Sequence, residues 1–125
     1  MKRILALLPV FLLLFISAQA QRLQTTETQT PQERAHSSAM RMKKVLELND
    51  AQTTQVEAVI LSRIQAIDRI NADASLTPEA KEAAIQKVRT DKDAELQKIL
   101  TPQQYTRYQE MKNEREQSKN ASGGK

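Results

Sequence analysis

The chain is 125 residues long, with 19 Lys and Arg, 15 Asp and Glu, one His and no Cys. This length bounds it to one domain. The missing thiols exclude disulfides and thiolate-based metal or catalytic sites, and the mild positive balance does not supply the clustered basic surface that nucleic acid needs.

In chain order, residues 1–20 come first. They carry Lys2 and Arg3, an apolar run from Ile4 to Ile16 broken by Pro9, and the small-residue pattern Ala18-Gln19-Ala20. This predicts a secretory signal peptide cut after Ala20. A spanning helix needs roughly 20 apolar residues, and this run is shorter. The expected mature chain, 21–125, has 17 basic and 15 acidic side chains. Its aromatics are Tyr105 and Tyr108, because Phe11 and Phe15 go with the signal. A core built from Ala, Val, Ile and Leu in so small a chain is thin, and self-association would help it. Residues 21–31 are polar, rich in Thr and Gln, and read as a flexible leader.

The domain then spans 32–117, with helices expected near 32–47, 50–74, 78–99 and 102–117. Ala35, Ala39, Met42 and Leu46 step by four, three and four. Val56, Ile60, Ile64, Ile67 and Ile70 continue at helical spacing, widened by Val59. Ala84, Ile85, Val88, Leu96 and Ile99 form a sparser face interrupted by Lys92, and Tyr105, Tyr108 and Met111 step by threes. No segment alternates as a half-buried strand does, so the fold class is all-α. Residues 118–125 read as a disordered tail.

Two helix starts repeat one phrase. In Leu100-Thr101-Pro102-Gln103-Gln104, Thr101 is the N-cap, Pro102 takes the first helical position, and Gln104 closes a capping box. Leu100 and Tyr105 take the hydrophobic-staple positions. Leu48-Asn49-Asp50-Ala51-Gln52 repeats the box with Asn49 as cap and Gln52 as closer. Thr77-Pro78-Glu79-Ala80 has the cap and a first-turn carboxylate, but Ala80 cannot close a box.

The two boxed copies, in an exported helical chain of this size, resemble the LTxxQ-motif family of periplasmic proteins, the Spy and CpxP chaperone and stress-adaptor group. The second copy matches the motif in full; the first has Asn49 where the motif has Thr. The resemblance covers residues 35–115. It implies a bent hairpin arrangement of four helices that dimerises into a shallow cradle. It also implies a concave face holding unfolded or envelope proteins without ATP, while Leu48, Asn49, Gln52, Leu100, Thr101 and Gln104 keep the helix junctions rigid.

The remaining side chains carry no catalytic constellation, so no enzyme activity and no cofactor are expected. The acidic pairs Asp91/Asp93 and Glu114/Glu116 are two apart and read as solvated faces. Met40, Arg41, Lys43 and Lys44 mix cations with flexible apolar side chains, which suits loose binding of varied partners. The bland alternative is a basic helix end that complements the dipole. Arg63 falls between apolar positions of the longest helix and is read as lining the same face. His36 and Met40, four apart and close to Met42, have donors for a soft ion such as Cu(I). Without a dense ligand cluster, they support only an alternative reading, a metal-binding or metal-responsive protein of the same architecture. The expectation is therefore a periplasmic homodimer that binds unfolded proteins, with no nucleic-acid partner and no membrane segment after signal cleavage.

Overall fold

A computed structural model of the protein describes residues 28–123. They form four helices and no strand: α1 (Pro31–Leu46), α2 (Asp50–Ala72), α3 (Pro78–Ile99) and α4 (Pro102–Ser122). The all-α class and the four helices match the expectation. The predicted signal peptide, and the leader up to residue 27, lie outside the described residues. Among the described residues no helix is long and apolar enough to cross a membrane.

Two boundaries differ from those read in the sequence. The leader was expected to reach Pro31, but α1 starts there. The Thr30 hydroxyl accepts from the Glu33 amide at 3.2 Å, and the Glu33 carboxylate accepts from the Thr30 amide at 2.7 Å. Thr30-Pro31-Gln32-Glu33 is thus a further capping box, built like residues 101–104 with Glu in place of Gln. At the other end, α4 continues through Ser122 instead of stopping at 117. Its last turns contain Glu116, Gln117, Lys119 and Ala121, which are good helix formers, and no Pro.

The apolar periodicities become one small core. Ala35, Ala39, Met42 and Leu46 are the buried side of α1, and Val56, Ile60 and Ile64 that of α2. Ala35 and Ala39 have no exposed surface, and their small side chains let the helix backbones approach. Leu48, Leu96, Leu100 and Tyr108 complete the cluster. Helix α2 is packed by α1 and by α3, while Ile67 and Ile70 at the far end of its stripe stay half-buried outside the core. Helix α4 meets α1 and α3 more sparsely, and it joins the core through Tyr108 with half-buried Tyr105 and Met111.

The connections explain the sharp turns. Glu47, between α1 and α2, is left-handed at φ 55°, and the Leu48 amide donates back to the Lys43 carbonyl at 3.1 Å. This is the αL closure of a helix C-terminus, here on a residue other than the usual Gly. Between α2 and α3, the Asp73 carboxylate accepts from the Ser75 amide at 2.9 Å, an Asx turn. Thr77 caps α3 through the Ala80 amide at 3.1 Å, with no box, as its sequence implied.

Candidate functional site

Both repeated motifs fall at the same end of the molecule, and there they join. Asn49 Oδ1 accepts from the Gln52 amide at 2.7 Å, and Gln52 Oε1 accepts from the Asn49 amide at 3.1 Å. Thr101 and Gln104 do the same at 3.2 and 3.0 Å. The boxes exist as read. The sequence did not show that their glutamines also bind each other. Gln52 Nε2 donates to Gln104 Oε1 at 2.7 Å, and Gln104 Nε2 lies 3.3 Å from Gln52 Oε1.

Each glutamine also reaches the end of the helix before the other motif. Gln52 Nε2 donates to the Ile99 carbonyl at the end of α3, and Gln104 Nε2 to the Leu46 carbonyl at the end of α1, both at 3.2 Å. The last carbonyls of a helix lack intrahelical donors, so these amides fill a need that the backbone cannot. Two junctions become one clasp: each glutamine closes its own box, holds its counterpart and caps the opposite helix. The signal was the repetition itself, 52 residues apart. Leu48 and Leu100 beside the clasp are both buried.

The five candidate client-binding residues are not brought to one place. Met40, Arg41 and Lys44 are exposed on the outer side of α1, with Val45 beside them. Met40 at 44% and Val45 at 41% are the exposed large hydrophobics of the described residues. Positions 40/44 and 41/45 are each four apart, so these side chains tile one strip. Lys43 turns away from it, toward the α1–α2 corner, where its ammonium meets Asp50 at 2.6 Å. Arg63 lies in a cleft of about 440 Å³ lined by Met42 and by residues of α3 and α4, and of the other four candidates it shares a pocket only with Arg41. His36 is exposed with Nδ1 3.0 Å from Glu57 Oε2. Among the described residues there is no group of three or more His, Cys, Asp or Glu placed to hold a metal ion.

The reading of Asp93 as a solvated carboxylate is overturned, although Asp91 beside it is exposed. The Tyr108 hydroxyl donates to Asp93 Oδ1 at 2.6 Å, the Lys112 ammonium donates to Oδ2, and Lys92 stands 3.3 Å away. Lys92 also sits 5.4 Å from the centre of the Tyr108 ring, a cation–π position. The interruption of the α3 apolar face is thus the place where α4 docks. Burial alone would raise the Asp93 pKa, but the bonds from Lys112 and Tyr108 and the two lysine charges outweigh it and hold the carboxyl below its usual range. Burial, with the Asp93 bond and charge added, pushes the Tyr108 phenol well up. Burial pushes Lys92 down, against the pull of Asp93.

Fold and junction together define an open four-helix protein whose corners are tied by a reciprocal pair of glutamines. The chain belongs to the DUF4890 family, described as a domain of unknown function, whose model matches residues 18–108. The match runs through both glutamines and ends at Tyr108, the anchor of α4. No curated protein and no solved structure matches it.

Proposed function

We propose that this protein is an ATP-independent chaperone or stress adaptor of the periplasm, binding unfolded or misfolded envelope proteins as a homodimer, in the manner of the LTxxQ-motif family. The observation that carries the reading is the strip on α1. Its exposed apolar side chains, Met40 and Val45, flank the exposed cations Arg41 and Lys44 on the outer side of the helix. Exposed apolar surface gathered in one place marks an interaction site more than the same residues scattered. Met adapts to many partners, and flanking cations add long-range attraction without demanding one geometry. The glutamine clasp supports the same reading, since it holds the helices that present the strip.

The strip contains Met40, Arg41, Lys44 and Val45. Lys43 is engaged with Asp50 and Arg63 with the cleft. The test adds the purified protein, at substoichiometric to equimolar ratio, to an unrelated aggregating protein without ATP. Suppressed light scattering is expected. Arg41→Ser with Lys44→Ser should weaken protection at low salt while helicity and melting stay unchanged, because both side chains are exposed. No protection at several-fold excess would reject the reading. Full protection by the folded double variant would move the client site off α1.

A further inference from the structure

Beside the α4 anchor, a small pocket of about 80 Å³ receives one cation from every helix: Arg41 from α1, Arg63 from α2, Lys92 from α3 and Arg115 from α4. No carboxylate lines it; its other walls are Ser38, Met42, Ile60, Leu96 and Tyr108. Charges from elements so far apart in sequence meet there only because the fold brings them together. Asp93 beside Lys92 is the nearest carboxylate and is shared with Lys112 and Tyr108, so four converging cations exceed their counter-charge, and the arrangement asks for an anion.

The partners of these cations sharpen the request. Among the described residues, Arg63 and Arg115 have no ion pair, and Arg41 donates only to the Ser38 hydroxyl at 3.2 Å. Arg63 is half-buried, and its Nε is fully buried without a hydrogen-bond partner. Lys92 shares its one carboxylate, Asp93, with Lys112 and Tyr108. Burial pushes the Arg63 guanidinium down from its ordinary value against an opposing pull from Tyr108, and the charges of Arg89, Arg34 and Arg115 add to the push.

We propose that Arg41, Arg63, Lys92 and Arg115 form a binding site for one phosphate-class oxyanion, either free inorganic phosphate or the phosphomonoester of a lipid headgroup. Several guanidinium forks match a tetrahedral oxyanion, which offers an oxygen pair to each, better than a planar carboxylate, which one fork satisfies. A pocket of this volume holds a few waters or one such group, not a folded peptide segment. The ligand would bridge all four helices, so its binding should stabilise the protein. This site is separate from the strip on α1 except for Arg41, and its test needs no client.

The test titrates sodium phosphate into the purified protein by calorimetry, at constant ionic strength set with sodium chloride. Melting is followed in the same buffers. Saturable one-to-one binding and a rise in Tm beyond that of the chloride control are expected. Arg115→Gln should weaken binding by at least about tenfold, the effect of losing one good charge-assisted pair. Arg115 is exposed on α4, so this variant should fold even if Arg63→Gln does not. Lys44→Gln, on the outer strip, should leave binding unchanged.

Phosphatidylcholine vesicles with and without phosphatidic acid separate the two sources. Co-sedimentation that needs phosphatidic acid, and that free phosphate reverses, identifies a headgroup site. Phosphate binding without co-sedimentation identifies the free ion. If phosphate and chloride at equal ionic strength raise Tm equally, screening explains the effect and the site is overturned. The same holds if folded Arg115→Gln binds phosphate as tightly as the parent.

Discussion

Gln104 separates two roles that a capping box alone does not distinguish. Glu33 closes the first box of the chain as a carboxylate, so Glu is acceptable where only the box matters. Gln104 must also donate, to the Leu46 carbonyl and to Gln52. Gln104→Glu therefore keeps the box but faces two part-buried acceptors with a charge and no donor. It should destabilise the protein by about 1–3 kcal/mol in urea unfolding, the range for buried polar groups left unsatisfied. A change near zero would mean that the clasp contributes nothing beyond capping. Glu47 gives the opposite sign. Its left-handed φ of 55° is strained for a side-chain-bearing residue and easy for Gly. Glu47→Gly should stabilise by up to about 1 kcal/mol, reduced by the extra freedom Gly gains in the unfolded chain. Since Glu47 is exposed, a measured loss would show that its side chain matters to the junction.

At the scale of the element, α4 is the helix held most by chemistry and least by area. Tyr108 is its buried side chain, and Asp93 ties both Tyr108 and Lys112 to α3. Asp93→Asn should lower stability by about 1–3 kcal/mol at pH 7 through loss of bonds to a charged acceptor. The pH dependence has a definite sign. A carboxyl whose folded pKa lies below its unfolded value contributes stability above the unfolded value, and this is lost as pH falls through the folded one. Melting curves of parent and Asp93→Asn should thus differ at pH 7, begin to approach each other below about pH 4, and meet once pH falls below the lowered folded value. A constant difference down to pH 2 would assign the effect to packing. Leu96, on the facing helix, has no exposed surface. Leu96→Ala should cost about 2–5 kcal/mol, the usual range for a truncated core side chain.

For the molecule as a whole, the proposed dimer has changed its seat. The buried part of the α2 stripe, Val56 to Ile64, packs on α1 and α3 within one chain, so it needs no second copy. Among the described residues, Met40 and Val45 on α1 are the exposed large apolar side chains left for a second copy, so a dimer seated on them competes with clients for the same strip. If Met40 and Val45 form the interface, sedimentation should show a dimer at tens of micromolar, a concentration where a Kd of order 1 μM leaves mostly dimer. Met40→Glu with Val45→Glu should then give a monomer of unchanged helicity. A monomeric parent would reject the dimer, and a dimeric double variant would place its interface elsewhere.

Helix positions, caps and buried faces were legible in the residues because their causes are local. Thr, Pro and Gln at 101, 102 and 104 form a cap within one turn, and Ala35, Ala39, Met42 and Leu46 share a face at any tertiary arrangement. The missed starts and stops, Thr30 and Ser122, are also local, and the first was written in the same Thr-Pro-Gln phrase. The meeting of Gln52 with Gln104, the bond of half-buried Asp93 to Tyr108, the departure of Lys43 from the strip and the convergence of Arg41, Arg63, Lys92 and Arg115 were not legible. Each depends on which helices become neighbours and at what height. Periodicity tells a helix which side to bury, but not against whom, because apolar attraction has no direction; only the packed chain decides which polar groups are brought face to face.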